Sequence, residues 1–441
     1  MNNSIELKKN LSFENIILSL LIIVGISFNW TILRNYSLSI ASVAINSGDF
    51  LLTVIIIISL TKHKFGGGPS YLSRLLVSLI IATYILGAVG CIININGNIS
   101  ILIRLGRGFF SFLLVCAYSK GFTKIEFLFT LITSSLVSTI ALIFYSLNQL
   151  KIISYGNFNF VEGGSRDEFT STTVVADNFT RFFFIDFIAI FFCIAICMFI
   201  YATANKNNLL KNIASVGIIC SYVDLMFNLS RAFSVILLLL SLAMIFNIMK
   251  YNKSKGISLF GILVSALVIG SCVFWFFQGE AGVIQISEWY RGLVDPTYVS
   301  AYSSGEVRLS HFASAFEAFS DSPIFGHGMG TDFTFYHNKF GTLENPYNFG
   351  NTLSLRAAQT GLVGLTMWIG FNLILVKHIY LKKSRNREEI LLKNTLFLIH
   401  ISSFVSCLVS VDSTSNLSYG LVYSCIILMA DYINRHPLPE F

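Results

Sequence analysis

An all-helical protein that crosses a membrane many times is predicted by three observations. Of the 441 residues, 54% are apolar or aromatic and only 12% are charged, with a mean hydropathy of +0.70; soluble domains run nearer about a quarter charged. Apolar runs of about 20 residues, each enough to cross ~30 Å of hydrocarbon, recur from end to end of the chain. The basic residues alternate between connections, rich in lysine in one set and poor in the other. This pattern excludes a soluble enzyme, a nucleic-acid binder and a disordered scaffold. The net charge of +7 therefore matters through its distribution rather than its sum.

Twelve spans are predicted, at about 14–32, 38–60, 71–92, 99–118, 124–147, 179–203, 209–228, 232–249, 257–277, 358–380, 393–411 and 417–434. The first run, Ile16 to Trp30, follows Lys8 and Lys9 and lacks a small-residue cleavage site, so it reads as a retained helix. The eight cysteines all fall inside apolar runs. Neither a disulfide framework nor a thiolate metal site is expected of them, only small buried hydrophobes.

The connections sort by charge. One set carries nineteen basic residues, among them Lys8, Lys9, Lys62, Lys64, Lys250, Lys253, Lys255, Lys382, Lys383 and Arg435. The other carries nine: Arg34, Lys151, Arg166, Arg181, Arg231, Arg291, Arg308, Lys339 and Arg356. Arg104 and Arg107 lie inside the fourth span. The lysine-rich set is expected to face the cytoplasm, which puts both termini inside. Seven of the nine outer residues are arginines, whose planar fork grips phosphate with two bonds and stays charged at any usable pH. They read as anion ligands, against the alternative of snorkelling at the interface.

Two outer connections are long, 148–178 and 278–357, whereas the inner ones are short. Transporters usually keep their site at mid-bilayer; long outer loops beside arginine-bearing span ends suit work at the outer face. The chain divides accordingly into spans one to nine over 1–277, a large loop over 278–357, and spans ten to twelve with a short tail over 358–441. In the large loop, Leu309, Phe312, Phe316 and Phe319 recur at three and four residues and predict a short amphipathic helix resting on the membrane or the bundle, with Arg308 and His311 on its other side. Pro323 ends it, and Gly326-His327-Gly328-Met329-Gly330 reads as a flexible turn with an accessible histidine. Inside the spans, Asp49, Arg104, Arg107 and Asp224 must face the protein. Arg104 and Arg107 either extend an anionic track or pair with Asp49, and Asp224 stands seven residues before Arg231, where it can orient that guanidinium.

Four pieces in this order form a pattern: Arg166 with Asp177-Asn178, Ser230-Arg231-Ala232 leading into an apolar helix, Arg308 heading a helix that runs into DSPIFGHGMG, and Asn351 to Arg356 leading to Gly361-Leu-Val-Gly364. Over about residues 160–370 the chain resembles the O-antigen polymerase and ligase superfamily, comprising Wzy-type polymerases and lipopolysaccharide O-antigen ligases. The resemblance implies a GT-C-like membrane glycosyltransferase of the bacterial inner membrane. Such an enzyme moves a glycan from undecaprenyl diphosphate onto an acceptor hydroxyl at the periplasmic face, commonly beside a chain-length regulator. Because diphosphate is already a good leaving group, no metal or other cofactor is required, provided cations stabilise its developing charge. Arg231 and Arg308 are the expected diphosphate clamp, with Arg166 and Arg356 as further candidates and Asp224, Asn351, Arg104 and Arg107 in support. The candidates for a base are His337, Glu344, His311 and Tyr347, unranked. The family's His-Asn pair has no histidine here: Gly350 precedes Asn351, and Tyr347 precedes Asn348. This favours a polymerase over a ligase; a lipid-linked oligosaccharide flippase is the alternative from another class.

Overall fold

A computed structural model of the chain describes residues 37–40, 43–63, 69–94, 97–117, 124–149, 172–176, 179–182, 187–205, 207–228, 231–294, 304–331, 333, 335–337, 342–344, 351–409 and 417–438. The expected span at 14–32, Arg166, Asp177-Asn178 and Tyr347 lie outside these residues.

The described part is helical with three small hairpins. In chain order it runs β1 (Ser37–Ile40), β2 (Val43–Asn46), α1 (Ser47–His63), α2 (Tyr71–Ile93), α3 (Ile99–Phe110), a 3-10 turn (Ser111–Leu113), α4 (Leu114–Ala117), α5 (Lys124–Gln149), β3 (Thr172–Ala176) and β4 (Phe179–Phe182). It continues with α6 (Phe187–Thr203), α7 (Asn208–Asn228), α8 (Arg231–Tyr251), α9 (Lys253–Val294), α10 (Ser304–Asp321), β5 (Phe335–His337), β6 (Thr342–Glu344), α11 (Thr352–Ile379), α12 (Arg387–Val409) and α13 (Leu417–Arg435). Among the described residues six helices are long and apolar enough to cross a membrane: those at 71–93, 208–226, 232–251, 253–276, 352–379 and 387–408.

Helices stand at most of the expected spans, with three departures. The run at 38–60 opens as the antiparallel β1–β2 hairpin, and its helix begins only at Ser47. The cause is legible: Ser37-Leu38-Ser39-Ile40 alternates polar and apolar residues with the period of a strand. The run at 179–203 likewise begins as a strand, β4, before α6. The third departure is α9, whose 42 residues rise about 63 Å at ~1.5 Å per residue, roughly twice the ~30 Å hydrocarbon core. It therefore carries helical structure to Val294, well into the expected large loop.

At the centre stands α6. Every side chain from Ile188 to Ile200 is buried, because this helix is apolar on all sides and is surrounded by α5, α7, α8, α12 and α13. Six of the eight cysteines are buried, Cys116 is half-buried and Cys272 is exposed, and all eight are free thiols.

The lysine-rich ends of the helices gather at one end of the bundle. Lys255 Nζ donates to the Ala202 carbonyl and to Asn205, Lys393 Nζ to the Lys382 carbonyl, and Asn394 to Asn247 across 3.0 Å. There Asp431 accepts from Arg435 at 2.8 Å and from the Ser70 backbone N–H at 3.3 Å. His378 Nε2 lies 3.3 Å from Ser73 Oγ and 4.0 Å from Asp431. Serine, histidine and aspartate meet here, but Ser73 and Asp431 both approach the same ring nitrogen, and all three residues are buried. A nucleophile–base relay needs the two partners on opposite ring nitrogens and access for substrate. The group ties α2, α11 and α13 together.

Candidate functional site

At the opposite end the chain is joined mainly by backbone, with a few side chains adding to it. Helix α11 is broken at Gly361, whose φ of 61° and ψ of −164° lie outside helical geometry. In an unbroken helix the N–H groups of residues 362 and 363 would bond the carbonyls of 358 and 359. Here all four groups are handed to the segment after α10. Leu362 N–H donates to Pro323 O at 2.8 Å and Val363 N–H to Ile324 O at 3.1 Å. His327 N–H donates to Ala358 O at 2.9 Å and Gly328 N–H to Gln359 O at 2.8 Å. Each group left over by the break thus finds a partner, which a buried backbone requires.

The same segment also docks on α2. Met329 N–H donates to Gly87 O at 2.8 Å, Asn94 Nδ2 to His327 O at 3.1 Å, and Asn98 N–H to Gly330 O at 3.2 Å. Gly328 has a φ of 99°, and a Cβ there would meet the backbone of Gly90 and Cys91; one at Gly361 would meet the backbone of Ile324 and Phe325. Glycine is required at both by conformation and by space. The turn expected to be flexible is therefore a tightly wedged one. Gly328, Met329 and Gly330 are buried, and His327 is half-buried with Nε2 donating to the Ala318 carbonyl at 2.8 Å. That bond fixes the segment to α10, because proline stops the helix but cannot aim the residues beyond it.

Helix α10 packs on the first half of α11, with Ala315 and Ala318 against Leu355, Ala358 and Phe333. Small residues rather than the phenylalanines make this contact: Phe312 and Phe316 are 53% and 63% exposed. His311 stands one turn before Ala315 and is half-buried. Arg308 lies one turn earlier still on α10. The β5–β6 hairpin, which packs on α10 through β5, carries His337 opposite Thr342 and Glu344 opposite Phe335. Three base candidates, His311, His337 and Glu344, are thereby brought to one locality.

The other arginines are distributed differently. Arg231 is the first residue of α8. Arg356, in the first half of α11, is 1% exposed; its guanidinium lies 4.9 Å from the Phe109 ring centroid, and its Nη1 is 3.4 Å from Met329 Sδ. It is held within the packing of α11, α3 and the glycine segment. Arg107 is buried on α3. Arg104 is on the same helix, and α1, which carries Asp49, packs against it. Asp224 is buried on α7 beside Ser138, whose hydroxyl accepts from Ser221 at 2.7 Å. Asn351 caps α11, its Oδ1 accepting from Ser354 N–H at 2.9 Å. The break at Gly361 and the exchange around it were not anticipated from the residues. Their signal was available, in a glycine inside an apolar run together with a second glycine cluster that must find partners.

No curated protein and no solved structure matches the chain. Residues 216–369, roughly a third of the chain, match the model of the family described as O-antigen ligase. The match begins within α7 and ends within α11, so it contains the start of α8, the whole of α10 and the glycine segment seated in the broken helix. Over this segment the chain is similar to the superfamily of O-antigen ligases and polymerases, whose members transfer glycosyl groups.

Proposed function

We propose that this chain is a surface-polysaccharide polymerase of the bacterial inner membrane, with twelve spans, both termini cytoplasmic and its site on the periplasmic face. It transfers a glycan from undecaprenyl diphosphate to a hydroxyl of an acceptor lipid-linked repeat unit. The observation that carries the reading is the family match over residues 216–369, which contains Arg231 at the head of α8 and Arg308 on α10. The lysine-rich end corresponds to the cytoplasm.

In the reaction the acceptor oxygen forms a bond to the anomeric carbon as the bond from that carbon to the diphosphate oxygen breaks. The diphosphate leaves with its electron pair, and the acceptor proton passes to a base. Arg231 and Arg308 hold the diphosphate and stabilise the charge it gains, and Arg166 adds to them. Arg356, being enclosed, positions the half-helix rather than touching the lipid. Among the bases, His311 shares α10 with Arg308, on the helix that packs against α11, which makes it the first to test. A chain-length regulator is the expected protein partner.

The test is alanine at Arg231 or Arg308. Chain extension should fall at least ~100-fold, as for loss of a group that stabilises transition-state charge, while single lipid-linked repeats accumulate on the outer face. Repeats trapped inside would point to a flippase instead. The purified enzyme should also keep its turnover of a synthetic undecaprenyl-diphosphate repeat in excess chelator. Loss of activity that added divalent cation restores would refute a metal-independent reaction.

A ligase is the second reading, favoured by the description of the matching family. Deleting the gene separates the two: cells left with a single-repeat surface glycan lack a polymerase, and cells with none on the lipid core lack a ligase.

A further inference from the structure

The wedge in α11 also sets a depth. From Leu362 to Ile379 the second half of α11 rises about 27 Å at ~1.5 Å per residue, within the ~30 Å hydrocarbon core. Beyond its lower end, Lys382, Lys383, Arg385 and Arg387 are exposed and mark water. Along this half-helix Leu362, Thr366, Ile369, Leu373 and Lys377 recur at three and four residues and are all exposed. They form one outward stripe ending in a lysine, as expected of a face turned to lipid.

The upper end of that stripe is bonded to Pro323 and Ile324 through the N–H groups of Leu362 and Val363. Ile324 and Phe325, both 58% exposed, therefore sit at the level of Leu362, itself 55% exposed. Immediately before them α10 presents three sectors at about 100° per residue. Ala315 and Ala318 face the protein, Phe312 and Phe316 form an exposed apolar sector, and Ala313, Glu317, Ser320 and Asp321 form an exposed, mostly polar one. A helix lying on the protein in water needs two sectors. The third suits a helix lying at the junction of protein, lipid and water.

We propose that the apolar sector of α10 and the Ile324-Phe325 corner are embedded in the outer edge of the lipid bilayer, continuing the lipid-facing stripe of α11. Residues 322–330 then form a re-entrant turn. Its non-helical backbone reaches membrane depth, which is tolerated because α2 and the broken α11 satisfy its polar groups. The inference concerns where the element lies and stands whether the chain polymerises, ligates or transports.

The test uses full-length protein reconstituted in phosphatidylethanolamine–phosphatidylglycerol vesicles, with Cys272→Ser removing the exposed native thiol. Nitroxide labels are placed one at a time on Phe316→Cys, Phe325→Cys, Glu317→Cys and Leu373→Cys. Labels at 316 and 325 should collide with oxygen several-fold more than with a water-soluble nickel chelate, approaching the ratio at 373, while 317 on the same helix shows the reverse. Chelate access at 316 and 325 equal to that at 317 overturns the proposal. So does protection from both reagents, which means a protein partner or a second copy covers the face.

Discussion

The two ends of the bundle are held by different chemistry. At the lysine-rich end side chains do the joining, with Asp431 to Ser70, His378 to Ser73, and Lys255 to Asn205. At the other end the joining is done by backbone: four peptide groups released at Gly361 are taken up by residues 323–328, and Met329 is anchored on Gly87. A side-chain tie tolerates small shifts because rotamers adjust. A backbone exchange does not, since moving one peptide misplaces its neighbours. The end with the broken helix is thus the more rigidly specified one, which suits the catalytic site proposed there.

Substitutions at the two ends should separate stability from activity. The largest effect is expected for Gly361→Val, which places a β-branched residue at positive φ with its Cβ against the Ile324 and Phe325 backbone. A loss of about 3 kcal/mol or more and of all chain extension should appear in thermal unfolding in detergent and in an activity assay. Gly370→Ala, on the same helix with open space around it, should be neutral or slightly stabilising. Wild-type behaviour of Gly361→Val would mean that the break does not set the geometry of this end.

Next in size is Asp431→Ala. It removes the partner of Arg435 and of the Ser70 N–H and should cost about 2 kcal/mol, with turnover per folded molecule unchanged. A fall in turnover would join the two ends functionally and end the contrast. The smallest change is expected for Asn351→Ala, which removes the cap of α11 at about 1 kcal/mol. It should lower turnover out of proportion to its effect on stability, because the half-helix it starts carries Arg356 and packs against the helix of Arg308 and His311. Equal loss in both measures would leave Asn351 a structural cap alone.

Legibility followed the range of the interactions. Helix positions came through because each is set by a local apolar run, as at Tyr71–Ile93 and Leu417–Arg435, where expected and observed limits differ by at most a residue. The β1–β2 hairpin departs from the expected helix because its period-two alternation outweighs its total apolarity. The apolar period of α10 is present as expected, and its contact with α11 is made by Ala315 and Ala318 rather than by Phe312 and Phe316. Ala315 and Ala318 outcompete the phenylalanines because α11 approaches closely there, and close approach favours small residues. His327 was expected to be accessible because glycines flank it. Those glycines serve instead to bring three backbones together.

The sequence alone determined the apolar character of the chain, the positions of most of the described helices and the uneven distribution of its lysines, because hydropathy and charge act on each segment independently of the others. The tertiary structure alone decided that α11 breaks at Gly361, that Arg356 is enclosed against Phe109 and Met329, and that the glycine segment fills the break. Each of these depends on peptide groups far apart in the chain completing one another's hydrogen bonds, and local composition carries no record of such a pairing.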